Sequence, residues 1–266
     1  MSQYEVVLEQ RTLIATAPTS SQLVPTERYL PGRQIRGALA NAWLRRNPQP
    51  DWQHFRGLFE GGVRFGPAYP VRQDGQEQGQ TAKVIRPTSL SVLVHKYSTG
   101  CSWSWDEAIK GRRSGPAQCP ACDEPIEPAK GALPASAVRT RTRTGLEIGD
   151  SGVARQGVLF SRVGIEPTTF VGELLSDDQN LVDELLGIGQ VRIGAKRSTS
   201  GLALLREKED AADTSLEIVD GKLVLRLDSP AVFVDETGRP MSRPRDEELT
   251  EVLGVPAKVI DEWSRW

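Results

Sequence analysis

Histidine, cysteine and methionine are scarce in this sequence. Its 266 residues include two histidines, three cysteines and two methionines. Three cysteines cannot all pair with one another, which excludes a disulfide framework. The sequence has no run of about 18 apolar residues, as a membrane-spanning helix needs. It also lacks the basic and apolar stretches of a secretory signal near Met1. We therefore expect a cytoplasmic protein without a membrane partner.

Patterns typical of catalytic sites are also missing. The sequence contains no nucleophile elbow, no HExxH motif and no paired-carboxylate motif. His54 has no obvious partner for acid–base chemistry, and we interpret it as structural. A hydrophobic content of 38% with 26% charged residues is typical of a globular chain with a real core. These observations favour a folded protein that is not an enzyme.

Positive charge is concentrated in the first three quarters of the chain. Residues 1–206 contain 25 Lys and Arg against 20 Asp and Glu, whereas residues 207–266 contain 8 against 15. The net charges are +5 and −7. A partner that carries phosphates would therefore meet the first part of the chain.

Apolar spacing predicts an alternation of strands and helices in this first part. The expected strands are 4–14, 63–65, 138–146, 157–165, 168–174 and 191–194 with 201–205, and the expected helices are 32–46 and one from Asp177-Asp178 to 186. This order is the βαββαβ plan of a ferredoxin-like domain in the α+β class. We predict such a domain over 1–206 with an insertion at about 71–137. A second, acidic and incomplete unit of the same kind is predicted to start in 207–266, with a hairpin of 216–218 and 223–225, a strand at 232–234 and a helix at 246–253.

The insertion contains all three cysteines. Cys119-Pro120-Ala121-Cys122 is a CxxC motif, and His95 and Cys101 supply one further ligand each. Because zinc favours four nitrogen and sulfur ligands, we predict a structural zinc site that organises a module over 95–131. Free cysteines, a redox pair, or Asp106 as the fourth ligand are the alternatives.

Three stretches combine small or basic residues in ways that suit an anionic ligand. One opens the first helix, where backbone N–H groups favour anions. A second alternates arginine with threonine at strand spacing, which puts the arginines on one face. The third is glycine-rich and basic but does not end like a Walker loop, and a plain solvated turn is its alternative. The candidate residues for binding such a ligand are Gly32, Arg33, Gln34, Arg36, Arg139, Arg141, Arg143, Arg192, Gly194, Lys196, Arg197, Thr199 and Gly201.

Together these stretches resemble a known family. Residues 29–39 are similar to the IPGSSIRGAL signature of the repeat-associated mysterious proteins (RAMPs) of CRISPR systems. Residues 58–70 resemble the segment that follows it in the RAMP subunit typical of subtype III-D effector complexes. Residues 144–161 are similar to the central hairpin of the family, 192–201 to its glycine-rich loop, and 119–131 to the zinc-like insertion of that subunit.

The resemblance implies a non-catalytic subunit that binds the CRISPR guide RNA. Such a subunit is expected to hold the repeat-derived 5′ handle of the guide and to help assemble the antiviral interference complex. Its expected partners are other RAMP subunits and the large polymerase-like subunit. The main alternative is a RAMP endoribonuclease that processes repeat RNA or cuts target RNA. Target cutting in the family uses an aspartate near the first helix, and residues 29–46 contain no acid.

Overall fold

A computed structural model describes residues 2–14, 23–72, 83–97, 100–148, 150, 152–195, 201–208, 218, 221–227 and 231–264. The strands are β1 (Ser2–Leu8), β2 (Leu23–Val24), β3 (Arg64–Phe65), β4 (Tyr69–Pro70), β5 (Val92–His95), β6 (Trp105–Asp106), β7 (Ile126–Pro128), β8 (Thr140–Ile148), β9 (Ala154–Ile165), β10 (Thr169–Leu175), β11 (Gln190–Arg192), β12 (Leu202–Glu207), β13 (Phe233–Val234) and β14 (Pro240–Met241). The α-helices are α1 (Gly32–Arg46), α2 (Trp52–Phe59), α3 (Glu107–Lys110), α4 (Gln179–Leu186) and α5 (Asp246–Leu253). The fold is mixed α/β, and its strands pair antiparallel except for β2, which pairs parallel with β9.

The chain divides into two compact units. The first combines Met1–Arg86 with Leu133–Thr214, and the second combines Pro87–Ala132 with Ser215–Trp266. In the part of the chain that the structure describes, no helix is long and apolar enough to cross a membrane.

The first unit is built on one antiparallel sheet. Its strand order is β11-β12-β1-β10-β3, and β4 also pairs with β10, at Phe170 and Val171 rather than at Leu174 and Leu175 as β3 does. Residues 4, 6 and 8 of β1 are buried and alternate with half-buried neighbours, which is the period of a strand with one covered face. The buried face packs against α1 through Ile35, Leu39 and Trp43. α4 adds Val182 and Leu185 to the same core.

A long hairpin extends the first unit. β8 and β9 pair antiparallel from Thr140 opposite Ile165 to Ile148 opposite Ala154, with a bulge between Leu146 and Ile148. At its base, Thr12 exchanges two backbone hydrogen bonds with Ile165, of 2.9 and 2.7 Å. This β8–β9 ribbon contains the arginine–threonine alternation.

The second unit has a small sheet of its own. β5 pairs antiparallel with β6 on one side and with β7 on the other. Residues 231–264 contribute the β13–β14 hairpin and α5. The capping box of α5 places the Glu248 carboxylate on the backbone N–H and guanidinium of Arg245. Hydrogen bonds from Arg245 lower the pKa of that carboxyl.

Several elements differ from their predictions. The strand predicted over 4–14 is wrong beyond Leu8, because the chain turns there and Thr12 pairs with the ribbon. The structure assigns no strand to 223–227, and most of the predicted partner segment 216–218 lies outside the described residues. The predicted irregular insertion contains a three-stranded sheet. α2 was not predicted at all. Predicted α1, the ribbon, β10, α4 and α5 are present.

The predicted division of the chain differs from the two units. Segment 87–132, inside the predicted insertion of 71–137, groups with residues beyond 215. Because 209–217, 219–220 and 228–230 lie outside the described residues, the second ferredoxin-like unit over 207–266 stays a prediction.

Candidate functional site

One face of the β8–β9 ribbon carries a row of arginines. Arg139, Arg141 and Arg143 are exposed and alternate with the threonines of β8, so they share a face. The opposite face carries Thr142 and Thr144, and the Thr144 hydroxyl lies 3.0 Å from that of Ser161. The threonine face leads to the core, because Thr140 lies opposite the buried Ile165. The arginine face is the other face of the ribbon.

The register adds a fourth arginine that the sequence analysis missed. Arg162 on β9 lies directly opposite Arg143, and Gly164 lies opposite Arg141. Residues that are directly opposite in an antiparallel pair point to the same face. Like charges placed this way repel one another, and an anion that lies over both would relieve the repulsion.

The base of this face contains one acid whose charge is balanced. Glu166 follows β9 and accepts a hydrogen bond from Arg11 Nε at 2.9 Å. Arg11 also packs over the backbone of Gly164, where a Cβ would lie 2.8 Å from its Cγ. Because Arg11 balances the charge of Glu166, this acid does not reduce the positive charge of the arginine row.

The glycines of the candidate loop are explained by its own backbone. Gly194 has φ +87°, and a Cβ there would lie 2.5 Å from the carbonyl oxygen of Leu13. Gly201 has φ +81°, and its Cβ would lie 1.9 Å from the carbonyl oxygen of Ile193. Side chains rarely adopt such a φ, so glycine is required here whether or not a ligand approaches. Lys196, Arg197 and Thr199 lie outside the described residues.

Segment 12–13 brings this loop next to the ribbon. Leu13 accepts a hydrogen bond from Ala195 N–H at 2.9 Å, while Thr12 pairs with Ile165 at the ribbon base. Arg192 ends β11, immediately before the loop. Two of the three predicted stretches therefore meet at one end of the sheet.

The third stretch lies at the other edge of the sheet. Gly32 opens α1 and packs on β3, where a Cβ would lie 2.0 Å from the Phe65 carbonyl oxygen. Arg33 and Arg36 are exposed and Gln34 is half-buried. Four strand-to-strand steps separate β3 from β11, which is about 19 Å at ~4.8 Å a step. A ligand that contacts all three stretches must be extended.

The second unit contains a separate cluster of four potential metal ligands. The ligand atoms of His95, Cys101, Cys119 and Cys122 all lie within 4.8 Å of one another. The Sγ atoms of Cys101 and Cys119 are 4.0 Å apart, and Cys122 Sγ is 3.3 Å from His95 Nε2. Tetrahedral zinc with Zn–S bonds of ~2.3 Å places its sulfurs about 3.8 Å apart. The donor set and its spacing therefore fit one tetrahedral ion.

Local backbone structure forms this cluster. His95 ends β5 opposite Ile126 of β7, and the CxxC lies in the turn that leads to β7. Asp123 N–H donates to the Cys119 carbonyl at 2.8 Å, and Ala121 N–H points at Cys119 Sγ at 3.4 Å. Asp106, the alternative fourth ligand, instead caps α3 and accepts a hydrogen bond from Ser91 at 2.7 Å.

The two thiols of the CxxC differ in acidity. Burial opposes ionisation of Cys119, but hydrogen bonds from Ala121 N–H, His95 and Cys122 lower the pKa of its thiol to about 7. A hydrogen bond from Glu124 N–H favours the Cys122 thiolate, but burial and the neighbouring Cys119 and Cys101 raise its pKa to about 11. Metals bind thiolates, so of the two CxxC thiols Cys119 loses its proton to a cation more readily.

His54 is part of a structural contact. It lies on α2, which begins after Asp51 accepts hydrogen bonds from the N–H groups of Gln53 and His54. Its Nε2 is 2.8 Å from one carboxylate oxygen of Glu184, and the other oxygen accepts a 2.6 Å hydrogen bond from the Trp43 indole. The Glu184 carboxylate therefore joins α1, α2 and α4.

Comparison with known proteins finds similarity among solved structures only. No family model and no curated protein matches the chain. The cryo-EM structure of the Type III-B Cmr-beta bound to cognate target RNA and AMPPnP (state 1) is 11% identical over 81% of this chain and 66% of that chain, with a TM-score of 0.47. The oligomeric Cmr4 crystal structure from Pyrococcus furiosus is 17% identical over 78% and 99%, with a TM-score of 0.34. A Type IV-B CRISPR complex chain is 8% identical over 82% and 95%, with a TM-score of 0.32.

Proposed function

We propose that this chain is a non-catalytic guide-RNA-binding subunit of a type III-D CRISPR ribonucleoprotein, which holds the repeat-derived 5′ handle. Its first unit is proposed to be a ferredoxin-like RAMP domain, because the strands and helices of its central sheet follow the βαββαβ order. The RAMP assignment rests on the resemblance of residues 29–39, 58–70 and 192–201 to the family. Other RAMP subunits and the large polymerase-like subunit are the proposed protein partners.

The row of arginines on the ribbon carries the RNA proposal. Arg139, Arg141, Arg143 and Arg162 share one face, and no acid is present on that face between Thr140 and Thr144. Guanidinium groups bind phosphates through two parallel hydrogen bonds, and an extended row of them suits a single strand of RNA. The adjacent loop after Arg192 would extend the contact, since it contains two further cations in the sequence.

The second unit is proposed to hold one structural zinc ion. His95, Cys101, Cys119 and Cys122 would fill its four positions and leave none open for a water molecule or a substrate. The β5–β6–β7 sheet around the cluster is small, and buried side chains in it are few among the described residues. A metal would replace the missing core.

Binding of labelled CRISPR repeat RNA tests the RNA proposal. We expect a shifted, intact RNA on parallel native and denaturing gels, with or without a chelator, and competition by salt that exceeds competition by a scrambled RNA. With about five phosphates neutralised, log K should fall against log salt with a slope of about −3 to −4. A slope near zero would contradict the proposal.

The same gels test the endoribonuclease alternative. Shortened RNA would favour it, and a His54→Ala variant would then show whether that imidazole is the base. If shortening persists in the variant, the active site lies elsewhere in the chain. Intact RNA with both proteins supports the scaffold function.

A further inference from the structure

Two side chains connect the histidine of the candidate metal centre with its CxxC turn. The Trp103 ring meets the His95 ring edge-on, with centroids 6.1 Å apart and planes at 72°. The Arg113 guanidinium lies 5.5 Å from the Trp103 ring centroid. Its Nη1 donates a 2.8 Å hydrogen bond to the carbonyl oxygen of Gln118, the residue before Cys119. Trp103 and Arg113 therefore contact both the histidine and the CxxC turn.

The loop that carries Arg113 also holds a distant part of the chain. Arg113 N–H donates to one oxygen of the Glu107 carboxylate at 3.3 Å. The other oxygen of that carboxylate accepts a 3.2 Å hydrogen bond from the Trp263 indole. Glu107 is thus shared between the metal-centre loop and segment 261–263.

Arg112 makes the second attachment of this segment. Its guanidinium lies 5.7 Å from the Trp263 ring centroid, and its Nε is 3.3 Å from an oxygen of Asp261. The side chains of Arg112 and Asp261 are 63% and 47% exposed, so this ion pair contributes little by itself. Stable docking of 261–263 therefore depends on the loop keeping Glu107 and Arg112 in place together.

We propose that the metal centre controls a latch: the ion fixes segment 103–113 through Trp103 and Arg113, and the fixed segment holds residues 261–263 through Glu107 and Arg112. Trp103 and Arg113 act as positioning residues, since neither supplies a ligand atom. The inference rests on the proposed zinc site but not on RNA binding. Because coupling between two sites is reciprocal, docking of the segment must strengthen metal binding by the same factor.

Hydrogen exchange on the full chain tests one direction of the coupling. With zinc bound, the indole N–H of Trp263, which donates to Glu107, is expected to exchange slowly in NMR spectra, and removal of zinc by a chelator should increase its exchange. Amides of α1 in the first unit serve as an internal reference, because they lie outside the proposed latch. Unchanged exchange of the Trp263 indole N–H after verified loss of zinc would overturn the proposal.

Zinc affinity tests the other direction. Competition with a chromophoric chelator should show about fivefold weaker binding for Trp263→Ala, the lower end of typical coupling factors. Trp52→Ala, an exposed tryptophan on α2, is the matched control and should bind zinc as the wild type does. Arg113→Gln should weaken zinc binding about tenfold, as for other residues that orient ligands, and should also release the segment.

The outcomes separate the latch from the metal site. Arg112→Gln should loosen segment 261–263 in the exchange experiment and weaken zinc binding by less than Trp263→Ala, because the bond from Trp263 to Glu107 remains. Wild-type zinc affinity in both Trp263→Ala and Arg112→Gln would refute the coupling, even with one zinc bound per chain. If the wild-type chain binds no zinc, the metal proposal fails and the latch fails with it.

Discussion

Replacing Arg143 by glutamine is expected to stabilise the free protein while it weakens RNA binding. In the free chain the exposed Arg143 lies opposite the half-buried Arg162 on one face of the ribbon. Two charges about 6 Å apart in water repel by about 0.7 kcal/mol. This agrees with the ~0.2–1 kcal/mol typical of cross-strand pairs. The glutamine amide removes the repulsion and preserves the length of the side chain.

The two effects have different sizes and different assays. We expect the midpoint of thermal unfolding to rise by about 1–3 °C, since 1 kcal/mol corresponds to ~2–4 °C in a chain of this size. The double variant with Arg162→Gln loses about two phosphate contacts, which reduces the salt slope of RNA binding by about 1.4. Between 50 and 200 mM salt the wild type should then lose about sevenfold more affinity than the double variant.

Fluorescence anisotropy with labelled repeat RNA, over a salt series, measures the slope. Arg56→Gln is the control, because Arg56 lies on α2 with its partner Glu60 and is 72% exposed. Its slope should equal that of the wild type. A double variant that is less stable than the wild type and binds RNA with an unchanged slope would refute the assignment of the arginine face.

Three further predictions test packing and metal binding. Gly201→Ala should destabilise the first unit by ~1–3 kcal/mol in chemical unfolding, because φ is +81° and the Cβ would meet the Ile193 carbonyl. The control is Gly37→Ala on α1, where a Cβ has open space, and this change should stabilise the unit by about 1 kcal/mol. Metal analysis should find one zinc per wild-type chain, and Cys119→Ser should bind zinc at least tenfold more weakly. Ser102→Ala changes an exposed residue nearby and should bind zinc as the wild type does. Glu184→Gln should lower the free energy of unfolding by about 1–2 kcal/mol, because it removes the charged acceptor shared by Trp43 and His54. Repeat RNA should stay intact with this variant. Cleavage that appears or disappears in it would contradict a structural role.

Periodicity was sufficient for the elements with a clear apolar face. The fourfold repeat of Ile35, Leu39 and Trp43 predicts α1, and these side chains are the ones that it buries. α2 was missed because it is short and its apolar residues 55, 58 and 59 cover less than three turns. Its start is nevertheless visible in the sequence, since Asp51 is a good N-cap.

The register of the ribbon could not be obtained from the sequence. A hairpin centred on the predicted turn at 149–152 would place Arg143 opposite residue 158. The bulge between Leu146 and Ile148 shifts the pairing, so that Arg143 faces Arg162. Bulges depend on local backbone geometry that residue types specify weakly. The row of three arginines was therefore predictable, and its fourth member was not.

The glycines of the candidate site illustrate why residue type alone does not identify a ligand contact. Gly194 and Gly201 were selected because glycine lets a phosphate approach the backbone closely, and Gly32 because it opens the first helix, where backbone N–H groups favour anions. In the structure a Cβ at each would instead meet a carbonyl oxygen of the chain itself, at 2.0, 2.5 and 1.9 Å. Packing therefore accounts for all three without RNA. The arginines of the ribbon are not required by backbone geometry in this way, and repulsion between like charges on one face costs stability in the free protein. For this reason the RNA proposal depends on Arg143 and Arg162, and their substitution is its most direct test.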